Sequence, residues 1–598
     1  MTRISARAAR YLALTSVAIA CTTSAGAQDR VAAAKIGERA PEISLKDIRN
    51  AARGLGDFGE PRAFVIVFLD ASCAAVGETL PRLESLWRET RSRGGIVIGV
   101  NSNAREGVVE LGAHALENGL SFPMHKDFDQ SVKAAFGVTR TPQAVVLDER
   151  RVLRYRGAVI EPATKEGEAA KEPLRDACLA VLDGKAPPRA EVAAAGCLIR
   201  RPRQSRGRGI TFSEHVAPIL QRHCQSCHRP HRTAPFSLLT FADASANSAR
   251  IDDAVHEGRM PPSFNDPRYG KFVNHQRLSR KEKEILRGWV SAGAPEGDPS
   301  RLPPPIVWPR GVWGIDKPDL VIAMKDEFRV SASGYIDYHY ADLDYEFRHD
   351  TWVNQIEVLP GNRRVVHHAN LYVRLPKRLG GGETLVTGFV PGGDVTRYGK
   401  NAGILIPAGS SMRLQIHYTT VGSEQVDRTR VGFVWAKDTI RRRVRCLQLI
   451  NNRFEIPPMD PFYEVRKEAT LKKAAIGEAL FVHMHLRGRD MTFFAHYPDG
   501  RKETLLSVPC FSFDWQMGYR WKTGTKRFPA GTRIVTVSHY DNSPFNPFNP
   551  DPSKTVREGR QSYHEMNYGF LFWFEEGEDL RLAVDPKTGR VTGRAPAE

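Results

Sequence analysis

One pentapeptide, Cys224-Gln225-Ser226-Cys227-His228, restricts this chain more than any other stretch. Cys-x-x-Cys-His is the spacing of c-type haem attachment. Two thiols form thioethers with haem vinyl groups, and the adjacent histidine lies under the iron as an axial ligand. A redox dithiol or half a zinc site is the rival reading, but zinc would need a second Cys/His pair nearby and none follows at that spacing. The segment predicts a one-electron carrier in the middle of a 598-residue chain, between something upstream and something downstream.

That length allows roughly three to five domains. The formal net charge is +18, yet no lysine/arginine block is interleaved with aromatics, so nucleic acid is not an expected partner. A basic protein of this kind is drawn to acidic partners or anionic membrane surfaces. Residues 1–27 read as a secretory signal: Arg3, Arg7 and Arg10 precede an apolar run over 11–21, and Ala25-Gly26-Ala27 offers a small-residue cleavage site. Cys21 is a rival lipoprotein acceptor, although Ala18 stands where such sites usually carry leucine. No later stretch is long and apolar enough for a transmembrane helix. A periplasmic or secreted bacterial location follows, and it suits haem c attachment. Of the 8 cysteines, Cys21 goes with the signal and two go to haem. The expected disulfides are Cys178 with Cys197 and Cys446 with Cys510, leaving Cys73 alone.

Residues 33–185 read as an α/β domain. The run Ala63-Phe64-Val65-Ile66-Val67-Phe68-Leu69 is a buried strand by its β-branched and aromatic content. Cys73 follows, then a helix over 79–93, a strand over 95–100, and Thr141-Pro142 leading into a strand over 143–147. This order resembles the thioredoxin-like redoxins, in which the proline is cis and faces the cysteine. The chain departs from that pattern at Ser72-Cys73-Ala74-Ala75-Val76, which has no Cys-x-x-Cys pair, and at Asp70, where peroxiredoxins usually carry threonine. Cys73 is a thiol peroxidase or sulfenate-forming sensor on one reading. On the other, the domain kept its fold as a docking unit and lost its chemistry.

Residues 186–208 form a basic linker. In 209–297, a helix over 212–224 runs into the haem motif, and a helix over 281–291 with Ile285, Leu286 and Trp289 closes the segment. This resembles a small all-α class I cytochrome c. Met260, in Gly258-Arg259-Met260-Pro261-Pro262, is the expected second axial ligand, with His231, His256 and His275 as competitors.

A proline-rich linker, 298–315, leads to two all-β lobes, 316–445 and 446–580, and a tail, 581–598. Short alternating strands and Gly/Pro turns argue for antiparallel sandwiches. In Phe481-Val482-His483-Met484-His485-Leu486 both histidines project from one face, while Val482, Met484 and Leu486 take the apolar one. Likewise His417 lies with Arg413 and Gln415, away from Met412, Leu414 and Ile416; alone it reads as a solvated strand residue. Adjacent His367 and His368 point oppositely on a regular strand, so joint ligation needs a bulge or a strand end.

Residues 316–572 resemble the copper type II, ascorbate-dependent monooxygenases, the group of peptidylglycine α-hydroxylating monooxygenase and dopamine β-monooxygenase. The resemblance rests on His-His, a third histidine, His-x-His and a later methionine, in that order. It also takes in Pro407-Ala408-Gly409-Ser410 and His539-Tyr540-Asp541-Asn542-Ser543. It implies a double jelly roll with two coppers. One is an electron-transfer ion on His367, His368 and His417; the other is an oxygen-activating ion on His483, His485 and Met566. The thioether fits soft Cu(I), whereas three histidines alone would equally suit zinc. Met491 and Met517 read as core.

The expected activity is insertion of one O₂ atom into a C–H bond of a small-molecule or peptide substrate. Electrons come from ascorbate or another donor, with the fused haem as a one-electron feed. The rivals are a non-catalytic electron-transfer or copper-handling protein, and a Cys73 thiol peroxidase.

Overall fold

The computed structural model describes residues 33–596 apart from 164–168, 201–208, 231, 233, 275, 309–310 and 394. The signal expected in 1–27, Cys21, most of the basic run and two rival haem ligands, His231 and His275, lie outside the described residues.

The first domain is built on a central strand. β1 (Leu45–Asp47), β2 (Ala52–Arg53), β3 (Ala63–Phe68), β4 (Gly95–Asn101), β5 (Met124–Lys126), β7 (Gln143–Asp148) and β8 (Leu153–Gly157) form one sheet in the order β2-β1-β5-β4-β3-β7-β8. β3 is parallel to β4 and antiparallel to β7. Every β3 residue is buried, as its continuous apolar run requires of a strand covered on both faces. Helix α1 (Ala74–Thr90) begins directly after Cys73, five residues before the expected start. Gly77 and Pro81 obscure its first turns in the sequence, but Val76, Leu80 and Leu83 keep helical spacing and are all buried. Helices α2 (Val108–Glu117), α3 (Ser131–Ala135) and α4 (Pro173–Leu182) complete the domain. Short β6 (Arg140–Thr141) pairs with β9 (Cys197–Leu198). The chain therefore stays on this domain well past 186: Val192 enters its core and Ile199 packs against it.

Residues 209–297 are helical, as expected. A wide turn, Phe212–Val216, runs into α5 (Ala217–His223), followed by α6 (Phe241–Ala246), α7 (Ser248–His256) and α8 (Arg280–Ser291). Ser279 caps α8 through a reciprocal capping box with Glu282. Phe212, Leu220, Leu286 and Trp289 meet in one core.

Each remaining lobe pairs two antiparallel sheets over its own core. In the first, the Thr351–Leu359 and Arg430–Trp435 strands face the sheet of His339–Glu346, Ser411–Tyr418, Val366–Arg374 and Glu383–Phe389. In the second, the Ala475–His483 and Asn567–Glu575 strands face the sheet of Tyr463–Thr470, Arg533–Tyr540, Gly488–His496 and Lys502–Val508. Met412, Leu414, Ile416 and Val482 are buried inward, following the alternation read in the sequence; the second lobe's strand ends at His483, so Met484 and His485 lie beyond it, both buried.

The expected disulfides are corrected. Cys73 is bonded to Cys197 across 124 residues of chain. Cys178 is buried in α4. Cys446 lies on the Arg445–Asn451 strand, whereas Cys510 is buried against α2, its Sγ 3.1 Å from the Val108 carbonyl. Cys446 and Cys510 thus serve different packing surfaces, and burial pushes the Cys446 thiol up to about 12. Domain docking, absent from local patterns, decided the surroundings of Cys510, whereas Cys197 reaches Cys73 within the first domain. The first domain seats on the second lobe through Arg489 to the Leu120 carbonyl (2.8 Å) and Trp87 against Phe545.

Candidate metal centre

The first histidine group is made by a bulge. The Val366–Arg374 and Ser411–Tyr418 strands pair with His368 opposite His417, and the register shifts between Val366 and His368. That shift lets adjacent His367 and His368 serve one point, with candidate ligand atoms of His367, His368 and His417 all within 4.8 Å of one another. His367 Nε2 is 3.0 Å from the Asp514 carboxylate, leaving its Nδ1, which lies 3.3 Å from His368 Nδ1. His368 Nε2 and His417 Nδ1 are buried with no hydrogen-bond partner. His417 is buried rather than solvated. Burial, then the neighbouring His367, holds its pKa down to about 3; burial and the surrounding imidazoles hold His368 well below the usual range. Neutral imidazoles with unsatisfied nitrogens are what a divalent or monovalent metal requires.

The second group stands opposite. His483 and His485 are both buried, their rings 5.2 Å apart and nearly perpendicular. His483 Nδ1 meets the Gln516 side-chain carbonyl at 2.5 Å, and His485 Nδ1 meets the His564 carbonyl at 3.3 Å. A hydrogen bond at Nδ1 fixes the tautomer with Nε2 as the lone pair, and His485 Nε2 is buried without a partner. Met566 is buried on the adjoining segment. Glu565 ties the two together. Its carboxylate accepts the backbone N–H of His485 (2.9 Å), Arg487 (2.6 Å) and Met566 (3.2 Å). Burial outweighs these bonds and lifts its pKa to about 7.

Two aromatic rings lie between the groups. Phe513 stacks on His367 at 5.3 Å and touches His485 at 6.1 Å. Tyr338 lies 4.9 Å from His417 and 6.1 Å from His485, its buried hydroxyl unpartnered. His368 and His483 approach to 6.4 Å. A small cavity beside His485 is lined by Phe511, Phe513 and Arg49, the last contributed by the first domain. Tyr338, Phe513, Asp514, Gln516, Glu565 and Arg49 were missed in the sequence. Only Glu565 carried a signal, its place between His564 and Met566. Met491 is core and fully buried, as read, while Met517 is only partly buried.

The Cys-x-x-Cys-His segment forms one helical turn, with the His228 N–H donating to the Cys224 carbonyl at 2.9 Å. Burial pushes the Cys224 thiol up to about 12. His228 Nδ1 is held by the Phe236 carbonyl at 3.2 Å, leaving Nε2 for an axial bond. A cavity of about 300 Å³ opens beside Cys227, and its far wall comes from both β lobes. Arg229, Arg232, Arg363 and Arg397 supply positive charge there, while Ile356, Val358 and Phe389 supply apolar surface. Arg229 Nε and Trp308 Nε1 are buried without partners. A flat apolar ring with carboxylate arms fits such a lining. Met260 is half-buried after α7 and is not among the residues lining this cavity. His256 is turned away to Arg287 (2.9 Å) and Phe128. Residues 513–517 touch all three places: Phe513 and Asp514 at His367, Gln516 at His483, and Met517 on the cavity wall.

In the first domain, Cys73 stands immediately before α1, at its N-cap position, and lies beside the Thr141 carbonyl, at the expected cis Thr141–Pro142 bond. Asp70 accepts from Ser72 N–H (2.8 Å) and hydroxyl (2.6 Å) and shapes the turn before the cysteine.

Comparison with known proteins bears on this domain. The AhpC/TSA family matches residues 36–156. Thiol-disulfide oxidoreductase ResA of Halalkalibacterium halodurans is 28% identical over 157 residues, 26% of this chain and 88% of that protein. A hypothetical protein from Sinorhizobium meliloti is 28% identical, over 28% of this chain and 96% of that one, with a TM-score of 0.27. An uncharacterized conserved protein from Geobacillus kaustophilus is 25% identical, over 28% and 93%, with a TM-score of 0.27. The amino-terminal part of this chain is a thioredoxin-like redox domain of the AhpC/TSA kind.

Proposed function

We propose that this chain is an exported copper-dependent monooxygenase, its haem c module feeding electrons to two coppers held between the β lobes. The observation that carries the reading is the convergence of five histidines whose imidazole nitrogens at His368, His417 and His485 are buried and unpartnered. An unpaired buried polar nitrogen costs about 1–3 kcal/mol, a cost that bonding to a cation offsets. His367, His368 and His417 would hold one ion; His483, His485 and the Met566 thioether would hold the other. Imidazole and thioether together favour Cu(I) over zinc. Copper, when bound, supplies one-electron redox chemistry with O₂; the net reaction places one oxygen atom in a C–H bond and reduces the other to water with two electrons.

The remaining roles fall to the chain. Cys224, Cys227 and His228 would carry haem c, and the four arginines would receive its carboxylates; Met260, the second axial ligand expected from the sequence, lies off that cavity and is not assigned to the iron. Residues 513–517 run from that cavity to both histidine groups, through Met517 on the cavity wall, Gln516 at His483 and Asp514 at His367. Ascorbate or another small reductant is the donor, and a small molecule or peptide the substrate. The test is oxygen uptake by the copper-loaded, pre-reduced holoprotein across a panel of candidate substrates. Substrate-dependent uptake with hydroxylated product is expected. Copper binding without any such uptake would leave an electron-transfer or copper-handling protein instead.

A further inference from the structure

We propose that the first domain is a latent disulfide reductase for extended peptides, in which the chain's own residues 196–200 occupy the peptide groove and Cys197 is the resolving cysteine. Cys197 lies outside the 36–156 region of family likeness, yet it reaches Cys73 in a disulfide. It arrives as a strand. β9 pairs antiparallel with β6, Thr141 opposite Cys197 and Arg140 opposite Leu198. The Ile199 N–H donates to the Thr139 carbonyl at 2.9 Å. Three side chains bind only its backbone: Arg140 to the Gly196 carbonyl (2.7 Å), Lys133 to the Ile199 carbonyl (3.2 Å) and Gln130 to the Arg200 carbonyl (2.8 Å).

Apart from Ile199, which packs against the domain core, its own side chains contribute little. Cys197 and Leu198 are exposed, Leu198 at 61%. A segment held by main-chain bonds can be exchanged for another of different sequence, because backbone pairing gives affinity without reading side chains. Gly196 is the exception. At φ +116, a Cβ there would come within 2.4 Å of the Thr141 carbonyl oxygen, so the occupant needs close backbone approach one residue before its cysteine.

The chemistry balances with a dithiol as reductant. A dithiol thiolate attacks the exposed Cys197 sulfur, and the Cys73 sulfur leaves at the α1 N-terminus, where the helix dipole favours an anion. A second attack within the reductant frees Cys197, so two protons and two electrons convert the disulfide to two thiols and the dithiol to its disulfide. Cys73 then attacks a peptide disulfide, forming a Cys73–peptide bond and releasing one peptide thiol. Cys197 displaces the second peptide thiol and restores Cys73–Cys197. Hydrogen peroxide would need no such strand-shaped groove.

The test uses full-length holoprotein, dithiothreitol and a synthetic peptide closed by one disulfide. The parent is expected to reduce the peptide at least tenfold faster than dithiothreitol alone, and Cys73→Ser no faster than dithiothreitol alone. Reduced Cys197→Ser protein, freed of dithiothreitol before the peptide is added, should accumulate one covalently bound peptide per chain. Without any variant, dithiothreitol should expose Cys73 and Cys197 to alkylation in the folded parent while Cys178 and Cys510 stay protected. Opening of the disulfide only on unfolding, parental turnover by Cys197→Ser, or Cys73-dependent peroxide consumption without peptide reduction would each overturn the proposal.

Discussion

In the second β lobe, His483 and His485 are oriented by their own lobe: the Gln516 side chain, the His564 carbonyl and the Glu565 carboxylate. In the first, the His367 ring is oriented by Asp514 and covered by Phe513, both borrowed from across the lobe boundary. The second group is self-contained, and the first is finished only when the lobes meet. Damage to the boundary should therefore fall on the His367/His368/His417 group, while damage to Glu565 should fall on the other.

The largest expected effect is at Met566. Met566→Ala removes the one soft ligand and leaves two imidazoles, so pre-reduced enzyme should form no product in a single turnover while still binding Cu(II). Product at the parental level would remove Met566 from the site. Glu565→Ala comes next. Three buried N–H groups lose their acceptor, which should cost about 3 kcal/mol or more in urea unfolding and lower occupancy of the second group. Asp514→Asn should weaken copper at the first group by roughly tenfold, the usual scale for a lost carboxylate–imidazole contact, and leave the second unchanged. Equal loss at both would end the distinction drawn between them.

Acid gives a smaller effect. His417 has a folded pKa of about 3 against an ordinary 6.5, so its stabilising contribution is complete above pH 6.5 and lost as pH falls towards 3. Unfolding of metal-free protein should lose about 1 kcal/mol for this group between pH 6.5 and 5.5, and His417→Phe should flatten that part of the profile.

What the sequence disclosed follows from what is local. Period-two alternation placed Met412, Leu414 and Ile416 inward, because strand geometry alone decides it; the Ala475–His483 strand ends before His485, which is placed by its bonds to His564 and Glu565. The alternation also showed that joint ligation by His367 and His368 needs a bulge or a strand end, and the register shifts between Val366 and His368. Contacts between domains left no local trace. Asp514 and Phe513 sit in a loop with no pattern of their own, and Arg49 lies more than 400 positions from His485. Cysteine counting failed for a different reason: Cys197 follows a stretch that reads as a linker but stays on its own domain through backbone bonds. The first domain, read either as a thiol enzyme or as a docking unit, carries a disulfide at its cysteine, seats on the second lobe and lines the cavity beside His485.

The most direct measurement is copper per haem after anaerobic reduction and exhaustive dialysis, in the parent and in His417→Ala. Two histidine groups with separate anchors require about two coppers per haem in the parent and about one in His417→Ala, the remaining ion keeping a sulfur ligand by X-ray absorption. A parent that retains no copper, or a His417→Ala protein that retains as much as the parent, would contradict the two-site account.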